Sequence, residues 1–196
     1  MPISKIDTPA LKADAVDNTI LDLASNYAFT GTVTGAGADN KPSFLAYLTS
    51  NQTIPNNTYH KINLDGEYYD TGGCYNNTSG TVTLNGVSAP AYSFAPNVAG
   101  KYFIGAKGRN DTSTDGTGTI IGIEKNGNRV SQVRDTLDNA EGLFVGVIVD
   151  LDGTDDYVTM IQYQNSGSST VANGASTFAN DDGTISHMFG FLIGGA

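Results

Sequence analysis

The chain has 196 residues, of which 24 are glycine and one is cysteine, and its formal net charge is -10. So acidic a surface repels phosphate backbones and anionic lipid, which argues against nucleic acid and membrane partners. Only 15% of residues are charged, no apolar run approaches the roughly 20 residues of a membrane helix, and Cys74 has no internal disulfide partner. This composition favours turns and short strands over long helices.

Residues 1–41 are predicted to form an N-terminal arm, extended or partly helical, that cannot build a core alone. Its apolar residues recur at intervals of three to five, a spacing typical of neither a helix nor a strand. They are predicted to anchor the arm on a partner, because segments of this kind gain order when their apolar side chains are covered. The anchor residues are Ile3, Ile6, Leu11, Val16, Ile20 and Leu23.

Residues 42–196 are predicted to form the head, with about ten strands separated by Gly, Asn and Asp. The predicted strands are 43–49, 59–64, 80–84, 91–94, 100–106, 118–125, 129–133, 143–151, 156–164 and 185–193. The dipeptide Asn126-Gly127 predicts a type I′ hairpin, since both central residues of that turn need positive φ. Many short strands without a helical stretch predict an all-β, antiparallel jelly-roll sandwich.

The last predicted strand is strongly apolar. Phe189, Phe191 and Ile193 project from one side of it, because side chains alternate with period two. A fold that ends in such a strand is expected to bury it at the centre of a sheet or an assembly.

Four segments, in this order, resemble the jelly roll of the complement globular head and of tumour necrosis factor. They are residues 43–48 (SFLAYL), 59–65 with 69–76 (YHKINLD and YDTGGCYN), 92–103 (YSFAPNVAGKYF) and 189–193 (FGFLI). The match covers about residues 42–193. It departs from the family in lacking tryptophan and in carrying a polar insertion near residues 76–87.

The resemblance implies a homotrimer in which the first and last strands lie in the sheet that faces the three-fold axis. Residues carried over from it are candidates for the core or the axis, and alternation alone does not decide between the two. These residues are Phe44, Ala46, Leu48, Tyr102, Phe144, Phe189, Phe191 and Ile193.

The arm resembles a second family. Residues 6–19 and 27–37 are similar to the amino-terminal segment of small bacteriophage fibre and head-decoration proteins, cyanophage examples especially. This resemblance implies a virion protein whose arm binds other virion proteins, in the capsid or the tail. Tail fibre and head fibre are not distinguished.

No catalytic, metal or cofactor site is predicted. Residues 150–156 are rich in aspartate, but glycine stands fourth rather than sixth and Ile161 occupies the twelfth position, so the segment does not match an EF-hand and is predicted to be a solvated turn. His60 and His187 lie in different predicted strands, and no base or cation flanks Cys74 in the sequence.

Tyrosines and asparagines in the predicted loops are candidates for a recognition surface. Aromatic faces stack on apolar sugar faces and amides bind hydroxyls, although ordinary loop composition is the favoured explanation of these residues. The candidates are Tyr68, Tyr69, Tyr75, Asn76 and Asn77.

The first functional hypothesis is a non-enzymatic phage virion structural protein, a trimeric fibre or decoration protein whose head is a candidate for contacting the host surface. One alternative is a free glycan- or protein-binding module, which would need a secretion signal or collagen-like stem, and this sequence carries neither. A second is a capsid-stabilising cement protein without a host-binding role. A third, a fibre depolymerase, lacks any motif.

Overall fold

The computed structural model describes residues 41–109, 118–136, 142–175 and 185–195. Its described part contains fifteen strands: β1 (Ser43–Tyr47), β2 (Gln52–Ile54), β3 (His60–Lys61), β4 (Gly66–Asp70), β5 (Tyr75–Asn76), β6 (Val82–Leu84), β7 (Val87–Ala89), β8 (Ser93–Phe94), β9 (Gly100–Gly108), β10 (Thr119–Lys125), β11 (Asn128–Asp135), β12 (Leu143–Leu151), β13 (Val158–Gln164), β14 (Thr170–Ala172) and β15 (His187–Gly195). The predicted arm, apart from Lys41, lies outside the described residues, as do the anchor residues Ile3, Ile6, Leu11, Val16, Ile20 and Leu23.

Two antiparallel sheets form the sandwich. Sheet I has the order β12-β9-β15-β1-β4, and sheet II has the order β11-β10-β13-β8-β5 with β3 also paired to β13. Two small ribbons, β14-β2 and β6-β7, complete the pairing among described strands. The predicted all-β, antiparallel jelly roll is confirmed, and the apolar last strand lies in the middle of sheet I.

The ten predicted segments each overlap a strand of the structure. The hairpin prediction is also confirmed: Asn126 and Gly127 have φ of 51° and 74° and join β10 to β11. A similar turn at Asn85 and Gly86, with φ of 49° and 87°, joins β6 to β7 within the predicted polar insertion.

Five strands were missed by the sequence analysis: β2, β4, β5, β7 and β14. Each is two to five residues long, too short for alternation to stand out from loop composition. The omission matters most for β4, which forms an edge of sheet I.

The core between the sheets is built around stacked aromatic rings. Phe44 of β1 lies with its ring centroid 4.3 Å from that of Phe94 in β8 and 5.2 Å from that of Tyr75 in β5. Tyr102 of β9 meets the edge of Phe94 at 5.7 Å, and its hydroxyl donates to the carbonyl of Val98 at 2.8 Å. This cluster fixes sheet I against sheet II, so the remaining side of sheet I faces outward.

Candidate assembly face

The outer side of sheet I carries a set of apolar side chains, here called the aromatic face. Along β15, the buried Met188 and Leu192 point into the sandwich, so the intervening Phe189 and Phe191 point out. The same alternation applies in β9 and β12. The aromatic face comprises Phe103, Phe144, Ile148, Phe189, Phe191 and Ile193.

Strand register brings these side chains together. Phe103 is paired with Phe191 on one side and with Ile148 on the other. The ring centroid of Phe103 lies 5.7 Å from that of Phe191 and 6.0 Å from that of Phe189. Phe144 stacks on Phe189 at 6.3 Å. Cross-strand aromatic pairs of this kind stabilise a sheet, and here they also form one continuous apolar surface.

Two glycines let the rings lie close to the sheet. A Cβ at Gly105 of β9 would stand 2.6 Å from the Phe189 ring and 3.2 Å from the Phe144 ring. A Cβ at Gly146 of β12 would stand 3.0 Å from the Phe103 ring. All three distances are shorter than ordinary van der Waals contact, so any side chain at either position would push a ring away from the sheet. Glycine at these two positions therefore lets the rings lie against the backbone of the sheet.

The aromatic face is open in the single chain. Phe144 is 51% exposed, Ile148 is 60% exposed and Ile193 is 40% exposed. Single exposed apolar side chains are normal on soluble proteins, but contiguous ones mark interaction sites. Phe144 and Ile148 belong to β12, the edge strand of sheet I.

Charged groups lie at the two ends of the aromatic face. At one end Lys101 Nζ pairs with Asp150 Oδ1 at 2.6 Å, with both side chains largely exposed. At the other end His187 pairs with Lys107 across β15 and β9. Burial lowers the pKa of His187, and the positive charge of Lys107 lowers it further, against the raising effect of its hydrogen bond to Ile185 O. His187 is therefore held in its neutral form at neutral pH.

The eight candidate core or axis residues divide into two groups of four. Phe44, Ala46, Leu48 and Tyr102 are buried between the sheets. Phe144, Phe189, Phe191 and Ile193 lie on the aromatic face. The alternation of side chains along the sequence could not separate these groups, because strands such as β15 are apolar on both of their sides.

The prediction of an exposed recognition role was wrong for Tyr75 and Asn76, which are 4% and 1% exposed. The Tyr75 hydroxyl donates to the carbonyl of Leu64 at 3.0 Å inside the core. The Asn76 amide nitrogen donates to three backbone carbonyls, those of Gly80, Ala89 and Pro90, at 2.7 to 2.9 Å. Asn76 therefore ties β5 to the β6–β7 ribbon, and Tyr75 ties it to the segment between β3 and β4.

Tyr68, Tyr69 and Asn77 are exposed. The two tyrosines are not in a loop but in β4, where a register shift against β1 leaves both side chains exposed. The Tyr68 ring lies 4.5 Å from the ring of Tyr47, and Tyr69 is paired with Leu45. Tyr69 and Leu45 therefore lie on the same side of sheet I as the aromatic face, at its β4 edge.

Sequence analysis missed Leu45, Phe103 and Ile148. The available signal was alternation: Phe103 follows the buried Tyr102, and Ile148 lies between Val147 and Val149, which contact the core. A test of both sides of every apolar strand would have found them.

The aspartate-rich turn brings three carboxylates together. Oxygens of Asp152, Asp155 and Asp156 lie within 4.8 Å of one another. Asp152 Oδ1 accepts the backbone N–H groups of Thr154, Asp155 and Asp156, of which the first is the main cause of its lowered pKa. Asp156 pairs with Lys125 Nζ at 2.7 Å. These partners explain the cluster as turn chemistry.

Cys74 is buried, and its thiol donates to the carbonyl of Gly72 and to Asn97 Oδ1. Burial raises the pKa of the thiol. A nucleophilic thiolate requires the opposite shift, so Cys74 is a structural residue.

Comparisons with known proteins identify the fold. No family model matches this chain, and no curated protein matches it in sequence. The globular domain of zebrafish complement 1qA superposes with a TM-score of 0.50 at 14% identity, covering 80% of this chain and all of that one. Eiger TNF from S. frugiperda gives 0.45 at 10% identity over 80% and 96% of the two chains, and the PRD1 vertex protein P5 gives 0.45 at 12% over 78% and 72%.

The described residues form a jelly roll similar to that of the complement domain. At 14% identity the likeness concerns the fold and not the ligand. Among the described residues, none forms a helix long and apolar enough to cross a bilayer.

Proposed function

We propose that this chain is a non-enzymatic structural protein of a bacteriophage virion, a homotrimeric fibre or decoration protein. Three copies close around an axis lined by their aromatic faces, and residues 1–41 bind other virion proteins of the capsid or tail. The resemblance of residues 6–19 and 27–37 to phage fibre and head-decoration proteins supports the virion assignment. The aromatic face supports self-association.

The aromatic face is the observation that carries this proposal. Fully burying a Phe or Ile side chain stabilises by roughly 1.5–3 kcal/mol relative to exposure. Phe144 and Ile148 are each more than half exposed, so covering them contributes on the order of 1 kcal/mol per side chain. Several such side chains from each protomer are needed to offset the several kcal/mol of freedom lost on association.

Charge at the edge of the face is compatible with a rotationally closed assembly. Lys101 and Asp150 are paired within one chain but remain largely exposed. In a ring, each protomer presents one surface to the neighbour on its left and another to the neighbour on its right. A lysine on one copy and an aspartate on the next can then pair, whereas a surface of one sign would repel its own copies.

The oligomeric state is tested by sedimentation equilibrium at micromolar concentrations. A mass of three chains is expected, and a monomer throughout that range would overturn the trimer. The virion role is tested separately, by cryo-electron microscopy of particles produced with the full chain and with a truncated chain starting near Asp39. The truncated head is expected to fold and trimerise but to be missing from particles. Normal occupancy of the truncated head would show that residues 1–38 are not the anchor.

A further inference from the structure

The outer side of sheet II differs chemically from the aromatic face. On β10, Ile121 and Ile123 belong to the core, so Glu124 points away from it. Register places Arg129 opposite Glu124 and Arg134 opposite Ile120. Lys61 of β3 is paired with Ile161 of β13. The outward positions of these strands therefore bring together three basic residues and one acid, in a chain whose net charge is -10.

The guanidinium group of Arg129 lies over an aromatic ring. Its guanidinium carbon lies 3.7 Å from the centroid of the Tyr59 ring, and Tyr59 in turn lies 4.7 Å from the ring of Tyr163. The Tyr163 hydroxyl donates to Asn57 Oδ1 at 3.0 Å, which fixes the far end of the stack. Tyr59 is 44% exposed. The stack Arg129–Tyr59–Tyr163 is thus ordered before any ligand arrives.

Stacking leaves the donor groups of Arg129 available, because they lie in the plane of the guanidinium and not on its face. One of them donates to Gln132 Oε1 at 2.9 Å. Glu124 Oε1 is 3.9 Å away, too far for a hydrogen bond. Arg134 forms no ion pair with any residue of the described ranges. Two guanidinium groups on one face therefore have donor capacity for an external anion.

We propose that this side of sheet II binds a carboxylated glycan, with Arg129 and Arg134 bonding the carboxylates and the exposed edge of the Tyr59 ring contacting the sugar. Amides next to the stack, such as that of Gln132, are suited to sugar hydroxyls. A polynucleotide fits less well, since a continuous phosphate chain would extend over the acidic remainder of the surface. The site does not depend on trimerisation, because it lies on the opposite side of the sandwich from the aromatic face.

The overall negative charge does not prevent such binding. At physiological ionic strength the screening length is about 8 Å, whereas packed sheets are about 10 Å apart. Carboxylates beyond the sandwich are therefore largely screened from a ligand on sheet II. At the outward positions of β3, β10 and β11, the three basic residues Lys61, Arg129 and Arg134 outnumber the acidic Glu124.

The test is isothermal titration of the full chain with tetragalacturonate, oligomannuronate and hyaluronan tetrasaccharide in 50 mM and 500 mM NaCl. The methyl ester of tetragalacturonate, which keeps the sugar and removes the charge, is the matched ligand control. We expect at least one acidic glycan to bind, at least tenfold tighter than the ester and more weakly in high salt. Binding of none of the three, or equal binding of the ester, overturns the proposal.

Variants locate the site. Arg129→Gln and Arg134→Gln should each weaken binding about tenfold or more, while Lys41→Gln, which removes a basic group elsewhere, should change it less than twofold. Circular dichroism checks folding, and sedimentation checks that the oligomeric state is unchanged, so failure here is distinguishable from failure of the trimer proposal. Unchanged affinity in both arginine variants would overturn the site. Equally tight binding of poly-glutamate would indicate an acidic protein partner and overturn the glycan assignment.

Discussion

Phe103 and Phe191 face each other across β9 and β15, with ring centroids 5.7 Å apart on the outer side of sheet I. One residue away on each strand, Tyr102 and Leu192 form another pair, which is buried between the sheets. An antiparallel sheet with one solvated side normally alternates apolar and polar residues. Here the same strand pair is apolar on both sides, as expected of a sheet that is covered on both sides.

Replacing Ile148 by Asp should dissociate the proposed trimer without unfolding the chain. Ile148 is 60% exposed in the single chain, so the change should alter protomer stability by about 0.5 kcal/mol or less. In a closed interface the same carboxylate would be buried without a partner, at a cost of several kcal/mol. Sedimentation equilibrium and thermal unfolding measure the two effects.

Val130→Asp is the control for this experiment, since Val130 is 38% exposed on β11 of sheet II. It should leave the trimer intact. A trimeric Ile148→Asp variant would mean that β12 lies outside the interface.

Gly105→Ala should weaken assembly more than folding. The new Cβ would stand 2.6 Å from the Phe189 ring, and Phe189 is only half-buried, so the ring can lift from the sheet. We expect the folded protomer to persist and the association to weaken by on the order of tenfold, about 1.4 kcal/mol. Analytical ultracentrifugation over a concentration series measures the association constant.

Gly80→Ala is the matched substitution, because no atom lies within 4 Å of a Cβ placed there. It should change neither assembly nor stability. Identical association constants for the two variants would contradict the idea that Gly105 sets the height of the aromatic face.

Tyr75→Phe should destabilise the fold by about 1–2 kcal/mol. The substitution removes the donor to the Leu64 carbonyl and leaves that acceptor buried without this partner. Urea unfolding is the measurement. Tyr69→Phe, at a side chain that is 45% exposed, is the control and should be neutral. A neutral Tyr75→Phe would show that the hydrogen bond to Leu64 contributes nothing to stability.

Stability should fall on acidification because of His187. Burial lowers its pKa in the folded chain below the ordinary 6.5, so the unfolded chain binds the proton more readily. The contribution of neutral His187 is complete above about pH 6.5 and declines as the pH drops from there toward the folded-state pKa. Urea unfolding at pH 7.5 and pH 5 should therefore show a smaller difference for His187→Gln than for the unchanged chain. If the loss of stability between pH 7.5 and pH 5 is the same for both chains, His187 is not its cause.

Local chemistry in the sequence was enough to predict several elements. Asn126-Gly127 predicted its hairpin because positive φ is a property of those two residues themselves. Apolar runs such as residues 143–151 predicted their strands, because alternation is a local property of extended backbone. The order of the segments predicted the jelly roll, which the structure confirms.

Tertiary structure decided the rest. Tyr75 and Asn76 have the composition of a loop, but contacts with distant residues, Leu64 and Pro90 among them, bury both. In β15, Met188 and Leu192 are as apolar as Phe189 and Phe191. The sequence therefore predicts a strand that is apolar on both sides, but not which side meets the core. That choice depends on which side of sheet I receives sheet II, because burial is a property of the packed sheets and not of the strand.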